Sequence, residues 1–162
     1  MLIRPAHNGD VQAILDIYNY AIMNTTAVYD YQAHTLEMRK QWFDTKVAQR
    51  FPVFVAEENG EVLGFSSLGP FRAWAAYKHT VENAIYVRND AQGKGLGKLL
   101  MEPLINASKE MGMHTIVAGI DADNEVSLKL HRRFGFEEVA HFKQVGWKFD
   151  KWLDLKFMQL IL

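Results

Sequence analysis

Two adjoining stretches of the chain carry the clearest hydrophobic patterns. Residues 81–87 alternate between two faces of an extended segment, with Val81, Ile85 and Val87 on one and Glu82, Ala84 and Tyr86 on the other. This alternation predicts a β-strand. Farther along, apolar residues recur at helical spacing, at Leu96, Leu99, Leu100, Pro103, Leu104, Ala107 and Met111. The stripe predicts a helix with one buried face, placed after the strand and a glycine-rich connection.

The N-terminal third is predicted to contain a short strand at residues 2–4 and two helices. Asp10 is the expected N-cap of the first helix and Thr35 that of the second, which runs to about residue 47. The buried face of the first helix is predicted to hold Val11, Ile14, Ile17, Tyr18 and Ala21. In the second helix, four residues at helical spacing share one side: Leu36, Arg39, Phe43 and Val47.

The remaining elements are mostly strands. Asn59-Gly60 separates two alternating runs, residues 53–56 and 62–66, and this dipeptide predicts a β-hairpin. An aromatic-rich loop over residues 69–80 is a candidate site for meeting a substrate, because loops on a rigid scaffold often bind ligands. The C-terminal third is predicted to contain a buried strand at 114–120, a helix at 124–134 closed by Gly135, and strands at 137–142 and 152–160.

Composition limits the size and class of the protein. A chain of 162 residues with 49% hydrophobic residues has enough apolar surface for one domain, which we expect to span residues 1–162. A net charge of -1, with basic residues scattered along the chain, argues against a nucleic-acid or membrane partner. There are no cysteines, so disulfides, thiolate metal sites and a cysteine acyl-enzyme are excluded. No signal segment or long apolar run is visible, and we expect a cytoplasmic protein without a metal.

A glycine-rich loop lies where the long helix begins, in the sequence Gln92-Gly-Lys-Gly-Leu-Gly-Lys98. Glycines let the backbone approach a ligand closely, and the free N–H groups of a first helical turn favour an anion. The spacing fits neither a P-loop, since Leu99 stands where Ser or Thr would be needed, nor a dinucleotide fingerprint, which needs glycine at Lys98. The loop predicts a phosphate cradle of another kind, the alternative being a glycine-rich turn without a ligand.

A polar stripe is predicted on the later helix. Asn124, Ser127 and His131 fall on one narrow face, opposite a charged face. An inward row of amide, hydroxyl and imidazole groups needs partners, since an unpaired buried polar group costs about 1–3 kcal/mol. A ligand can supply them, or the side chains can satisfy one another and nearby carbonyls.

These segments together resemble a known family. The glycine loop resembles the pyrophosphate loop of the GNAT N-acetyltransferases, and the run from Asn124 through His131 to Gly135-Phe136 resembles the second coenzyme A motif of that superfamily. With residues 80–82, 145–149 and 152–155 added, the whole chain resembles the phosphinothricin, methionine sulfone and methionine sulfoximine N-acetyltransferases. The resemblance implies an α/β (α+β) GNAT fold, in which a mixed central sheet with a splayed strand pair is flanked by about four helices.

The resemblance also implies a division of roles around acetyl-CoA and a small amino acid. Residues implied to bind acetyl-CoA are Ile85, Tyr86, Val87, Gln92, Gly93, Lys94, Gly95, Leu96, Gly97, Lys98, Asn124 and Ser127. Gln92 would brace the loop, and Asn124 would hold the pantetheine arm. Residues implied to bind the substrate are Arg72, Ala73, Trp74, Glu82, Asn83 and Ala84. Arg72 would take the substrate carboxylate, whereas Trp74 stands where family members often carry a second Arg and leaves the preferred amino acid open.

Acetyl transfer to an amine requires a base, because most amines are protonated at neutral pH. Glu82 is the candidate, directly or through a water; the alternatives are an ordinary solvent-facing Glu or a carboxylate that only binds the ammonium group. His131 stands where many superfamily members place a proton-donating Tyr, and is expected to act as an acid or to orient a partner. The predicted reaction is direct transfer within a ternary complex, with the oxyanion held by a strand N–H from Tyr86 or its neighbour.

Two other functions remain open. One is acetylation of another amine, such as a protein N-terminus or a polyamine, although residues 69–80 contain none of the acidic residues that a polyamine would favour. The other is binding of acetyl-CoA without catalysis. Aromatic residues of the tail, including Trp147, Phe149, Trp152 and Phe157, either complete the core or meet a second copy, and the resemblance favours a homodimer.

Overall fold

The computed structural model describes residues 1–162 and shows one mixed sheet flanked by four helices. The strands are β1 (Leu2–Pro5), β2 (Val53–Glu58), β3 (Glu61–Pro70), β4 (Thr80–Val87), β5 (Thr115–Asp121), β6 (Glu137–Lys148) and β7 (Lys151–Ile161). The helices are α1 (Val11–Asn24), α2 (Leu36–Ala48), α3 (Leu96–Glu110) and α4 (Glu125–Arg133). The strand order is β1-β2-β3-β4-β5-β7-β6. The predicted α/β class, mixed sheet and number of helices are therefore confirmed.

The sheet opens between its two central strands. β4 and β5 are the one parallel pair, and they are in register only from Thr80–Thr115 to Glu82–Val117. β4 nevertheless continues to Val87, and β5 continues beside β7 to Asp121. The second half of β4 is thus paired with β3 on one side only, and its other edge is free to bond a ligand.

Helices cover both faces of the sheet. On one face, α1 and α2 pack over β2 and β3 through a cluster that includes Ile14, Phe43, Val55 and Phe65. On the other face, α3 and α4 bury Leu104 and Leu128 against β4 and β5. Burial of these apolar side chains is the main stabilising term of the fold. None of the four helices has the length and apolar character needed to span a bilayer.

The predicted helix faces are partly wrong. In α3, Leu99 is 38% exposed, while Met101 is fully buried. In α2, Arg39 and Phe43 are buried as a pair, but Leu36 and Val47 lie exposed in the first and last turns, outside the cluster around Phe43. The buried stripe of α3 is therefore shifted from the predicted one, and the buried stripe of α2 is confined to its middle turns.

The predicted role of Asp10 also needs correction. Its backbone occupies the N-cap position of α1, but its side chain makes no capping bond there. The carboxylate instead accepts hydrogen bonds from both terminal nitrogens of Arg4, at 2.8 and 2.9 Å, and from the backbone N–H of His7 at 2.8 Å. It closes a preceding 3-10 turn and fastens that turn to β1. Thr35, by contrast, caps α2 through the N–H of Met38, as predicted.

The connection between α1 and α2 is fastened to the far end of the sheet. The buried ammonium group of Lys148 donates to the carbonyls of Ile22 and Val28, at 2.6 and 2.7 Å. The hydroxyl of Tyr29 donates to the Asp154 carbonyl at 2.7 Å, and Asp121 accepts from the hydroxyl of Thr26. β6 and β7, longer than predicted, thereby hold the α1–α2 connection over the ends of β5 and β7.

Candidate active site

A cavity of about 400 Å³ lies between α1 and α2 on one side and β3 and β4 on the other. Its volume falls within the range of roughly 300–1,000 Å³ that is typical of small-molecule sites. The side chains that matter to its chemistry are Tyr18, His34, Arg39, Trp42, Lys46 and Glu82. Asn83, Ala84 and Tyr86 also line it, so the predicted β4 residues do meet in one cavity.

Glu82 lies where β4 and β5 separate. A Cβ atom at Gly119 of β5 would lie 3.5 Å from the Glu82 Oε1, so the carboxylate faces a position without a side chain. Burial raises the pKa of Glu82 above its usual value, while the positive charges of Arg72 and Lys46 oppose part of that rise. A carboxylate with a raised pKa is a better proton acceptor near neutral pH than an ordinary one.

Lys46 reaches the same cavity from α2. Its ammonium group donates to the Leu68 carbonyl at 2.6 Å, and a Cβ atom on Gly69 would come within 2.6 Å of its Nζ. Gly69 of β3 lies opposite Glu82 of β4 in the sheet. Because Gly69 has no side chain, the Lys46 ammonium group occupies the space on the side of Glu82 that a side chain at position 69 would fill. Burial lowers the pKa of Lys46 to about 8, although Glu82 opposes the shift.

His131 connects α4 to β4. Its Nδ1 lies 2.7 Å from the carbonyl oxygen of Ser127, so Nδ1 carries the proton and donates to that oxygen. Nε2 then accepts from the side-chain amide of Asn83 at 3.1 Å. Burial lowers the pKa of His131, although the bond to Ser127 opposes the shift. The imidazole is therefore neutral at pH 7, and its Nε2 carries no proton.

The glycine loop forms a bare backbone surface. Gly93 and Gly95 adopt φ angles of 79° and 78°, and no atom would meet a Cβ at either position. Gly95 is the N-cap of α3 and supplies no capping side chain, so the first N–H groups of α3 face outward. Gly97 has a packing role, since a Cβ there would lie 2.9 Å from Leu130 of α4. The loop fits a ligand phosphate, whose oxygens accept from such N–H groups.

The remaining residues implied for acetyl-CoA surround this loop. Gln92 is exposed and its side chain makes no hydrogen bond, and Lys94 and Lys98 are also exposed. Asn124 caps α4 by accepting from the Ser127 N–H at 3.2 Å, which leaves its own amide N–H groups able to donate. The free edge of β4 supplies the backbone of Ile85, Tyr86 and Val87.

The predicted substrate loop lies outside the cavity walls. Arg72 is exposed, with its guanidinium group 5.2 Å from the Phe71 ring centroid. Trp74 is 78% exposed and Ala73 is exposed beside it. Arg72 still acts on the pKa of Glu82, so it lies at the entrance to the same site.

Sequence reasoning missed three parts of the site: Arg39, Lys46 and Gly119. Arg39 and Lys46 are seven residues apart, two turns along α2, a spacing that places both cations on one helical face. The spacing alone could have identified Arg39 and Lys46 as a pair of site residues. For Gly119 the only indication in the sequence was a glycine within a predicted buried strand, where another group often approaches the backbone closely.

The chain matches the model of the acetyltransferase (GNAT) family over residues 15–136. It is 47% identical over 161 residues to the L-methionine sulfoximine/L-methionine sulfone acetyltransferase of Pseudomonas aeruginosa, with 99% of this chain and 94% of that protein covered. It is 45% identical over 162 residues to the L-amino acid N-acyltransferase MnaT of Escherichia coli K12, with 100% of this chain and 94% of that protein covered.

A solved structure is also similar. The structure of yncA from Salmonella typhimurium with its cofactor acetyl-CoA superposes with a TM-score of 0.98 at 42% identity. The match covers 100% of this chain and 94% of that one.

Proposed function

This chain belongs to the GNAT family of acetyltransferases, and we propose that it transfers the acetyl group of acetyl-CoA to the α-amine of a small amino acid such as methionine sulfone, methionine sulfoximine or phosphinothricin. One observation carries the proposal. A half-buried Glu82 with a raised pKa lies in a cavity sized for a small molecule, at the opening between β4 and β5. The named activities of the two similar proteins support the choice of an amino acid.

The residues present fit acetyl-CoA. The bare backbone at Gly93 and Gly95, with the N–H groups of the first turn of α3, would hold the pyrophosphate. The free edge of β4 would pair with the amide groups of the pantetheine arm, and the amide of Asn124 would donate to it. Bound acetyl-CoA supplies the thioester whose acetyl group is transferred.

Glu82 accepts a proton from the substrate ammonium group in this proposal. A protonated amine has no lone pair for attack, so the carboxylate must take its proton directly or through a water. Burial raises the pKa of Glu82 and makes it a better proton acceptor, while the positive charges of Arg72 and Lys46 oppose part of that rise and favour its ionised form. A backbone N–H of β4, from Tyr86 or its neighbour, would donate to the acetyl oxygen. The amine nitrogen would bond to the acetyl carbon as the C–S bond breaks, and the leaving thiolate would take up the second proton that the amine nitrogen gives up.

His131 orients Asn83 in this proposal rather than donating a proton. Two roles were predicted for it, and a neutral imidazole whose Nε2 accepts from Asn83 has no proton to give there. The Ser127–His131–Asn83 chain of hydrogen bonds instead fixes β4 beside its free edge. Arg72, at the entrance, is proposed to take the substrate carboxylate as a planar fork.

The test is release of free coenzyme A from acetyl-CoA, with methionine sulfone, methionine sulfoximine, phosphinothricin, a polyamine and a peptide N-terminus measured side by side. Turnover confined to the amino acids is expected. Two cations in the cavity, Arg39 and Lys46, oppose a polycationic substrate. Turnover only with the polyamine or the peptide would overturn the substrate assignment, and binding of acetyl-CoA without any turnover would overturn the enzymatic one.

We also propose a cytoplasmic homodimer whose role is either detoxification of toxic glutamate analogues or metabolite repair. Exposed aromatic side chains on β6 and β7 support the dimer: the rings of Trp147 and Trp152 pack 4.8 Å apart and are 45% and 60% exposed. Apolar patches of this kind often mark protein interfaces. Sedimentation of the wild-type chain and of Trp152→Ser tests the dimer; a wild-type mass of 18.6 kDa would exclude it.

A further inference from the structure

Arg39 is a buried cation on the inner face of α2. The residue is 3% exposed, and its guanidinium carbon lies 4.0 Å from the ring centroid of Tyr18 and 4.5 Å from that of Trp42. Burial lowers the pKa of Arg39, but an arginine side chain stays protonated in proteins. A full positive charge is therefore held between two aromatic rings at the cavity wall.

This charge has no anionic partner within the chain. Nη2 donates to Nδ1 of His34 at 3.3 Å, and His34 is itself held by hydrogen bonds between its backbone and Asn19. Nε of Arg39 has no hydrogen-bond partner. Every other buried side-chain nitrogen or oxygen atom of the protein has one. No carboxylate forms an ion pair with Arg39. An unpaired buried ion costs several kcal/mol, which the two rings offset only in part.

The other charges of the cavity balance each other. Lys46 and Glu82 act on each other's pKa, and Lys46 is further satisfied by the Leu68 carbonyl. Nδ1 of His34 is the acceptor toward Arg39, and its Nε2 lies 3.3 Å from Oδ2 of Asp30. Burial raises the pKa of the Tyr86 phenol, which is therefore uncharged at neutral pH. Arg39 is thus the unmatched positive charge of the cavity.

We propose that Arg39 is a specificity-determining residue that binds an oxygen-bearing group of the acceptor amino acid inside the cavity, while the amine of the same molecule faces Glu82. The inference rests on the function proposed above and deepens it. Two groups of such an amino acid carry suitable oxygens, the α-carboxylate and a sulfone, sulfoximine or phosphinate at the end of the side chain. With Arg72 at the entrance assigned to the carboxylate, the side-chain oxygens are the expected partner of Arg39.

The competing explanation is structural. Stacked between Tyr18 of α1 and Trp42 of α2, Arg39 joins the two helices, and its loss could merely loosen them. Such loosening would impair every substrate equally and would lower the melting temperature. Loss of a specific oxygen contact would instead depend on which oxygens the acceptor carries.

The experiment measures the Kd of methionine sulfone and of L-norleucine, which lacks side-chain oxygens, by calorimetry with coenzyme A present. The proteins are the wild type, Arg39→Met, Arg39→Lys and the control Lys40→Met, which changes the exposed neighbour on the same helix. Arg39→Met is expected to weaken methionine sulfone binding about 10- to 100-fold, the size of a charged hydrogen bond. Arg39→Lys keeps the positive charge and should lose less affinity for methionine sulfone than Arg39→Met. Lys40→Met should bind methionine sulfone as tightly as the wild type.

The pattern across the two ligands identifies the oxygen. A loss confined to methionine sulfone assigns Arg39 to the side-chain oxygens, and an equal loss for both ligands at an unchanged melting temperature assigns it to the carboxylate. Unchanged Kd values in both Arg39 variants, or no binding of either ligand by the wild type, would overturn the proposal. So would equal losses that follow a lowered melting temperature. Turnover is measured separately: binding that depends on Arg39 without acetyl transfer would refute the proposed function alone.

Discussion

The carboxylate of Glu82 faces the open backbone of Gly119 across the point where β4 and β5 separate, and a Cβ on Gly119 would lie 3.5 Å from Oε1. The same Cβ would lie 3.3 Å from the ring of Phe157 on β7. Gly119 therefore keeps open the space in which the proposed base moves. Its effect is on position, since it carries no group that could take part in the chemistry.

Gly119→Val should displace the Glu82 carboxylate and lower kcat by about 100-fold, the cost of misplacing a catalytic group by roughly 1 Å. The KM for acetyl-CoA should change little, because the atoms nearest a Cβ at Gly119 belong to Phe157, Glu82 and Leu155 and none belongs to the glycine loop. Steady-state kinetics with both substrates varied would measure the two effects. Gly119→Ala, which adds an ordinary contact to Oε1 and one tighter contact to the Phe157 ring, is the matched control. Equal kcat values in all three proteins would refute the role of this space.

Lys46 should set the pH dependence of Glu82 through its position above Gly69. Gly69→Ala would place a Cβ 2.6 Å from the Lys46 Nζ and push the ammonium group away. Loss of a nearby positive charge raises the pKa of a carboxyl, so the acid limb of the rate should move to higher pH. Lys46→Met should shift the limb in the same direction. If the acid limb of the pH–rate profile had the same midpoint in both variants as in the wild type, Lys46 would not act on the pKa of Glu82.

The glycine loop should contribute to acetyl-CoA binding through its backbone shape. Gly95→Ala forces a Cβ into a left-handed conformation at φ 78°, which costs about 1 kcal/mol or more. The KM for acetyl-CoA should rise about fivefold or more, with the KM for the amine unchanged. Gly112→Ala imposes a similar strain at φ 73°, beyond the end of α3, and provides the control. Equal KM values for acetyl-CoA in both variants would show that the glycine loop does not contribute to acetyl-CoA binding.

Much of this architecture follows from local signals. Asn59 and Gly60 adopt φ angles of 53° and 80°, the left-handed pair that an Asn-Gly hairpin requires. Thr35 caps α2 at the predicted position, and α3 begins within the glycine loop as expected, because helix starts depend on a few neighbouring residues. The splayed β4–β5 pair was predicted only from the family resemblance, since the sequence of neither strand alone determines the register of a parallel pair.

The rest depends on contacts between distant segments. Arg39 is buried on the same side of α2 as Phe43, as the helical spacing predicts, but the sequence of α2 does not reveal that Tyr18, 21 positions earlier on another helix, lies against its guanidinium group. Lys46 enters the site because Gly69 and Glu82 are register partners across β3 and β4. Asp10 was expected to cap α1, but Arg4 from the adjoining strand provides a stronger, charged partner.

The Arg4–Asp10 pair should stabilise the N-terminal part of the fold. Burial alone would raise the pKa of Asp10, but hydrogen bonds from Arg4 and the His7 N–H outweigh it, and the pKa is lowered. The contribution is therefore complete at neutral pH and is lost as the pH falls through and below about 4. Asp10→Asn should lower the free energy of unfolding by about 2–3 kcal/mol at pH 7.

Urea unfolding at pH 7 and at pH 3.5 measures this contribution. The gap between wild type and Asp10→Asn should narrow at the lower pH, because the carboxyl of the unfolded wild-type chain, which has an ordinary pKa, then takes up a proton. The exposed Asp16→Asn serves as control. A gap of the same size at both pH values would show that the ionised form of Asp10 is not what stabilises the fold.

The central claim, that Glu82 removes the proton from the acceptor amine, is tested most directly by the pH profile of kcat/KM for Glu82→Gln beside the wild type. Burial raises the pKa of Glu82, so the wild-type rate should rise with pH through a value above the ordinary carboxyl range. The variant should lose about 10²- to 10⁴-fold at acidic to neutral pH and recover part of this at alkaline pH, where free amine accumulates. A Glu82→Gln enzyme with the wild-type rate and the wild-type acid limb would contradict the account.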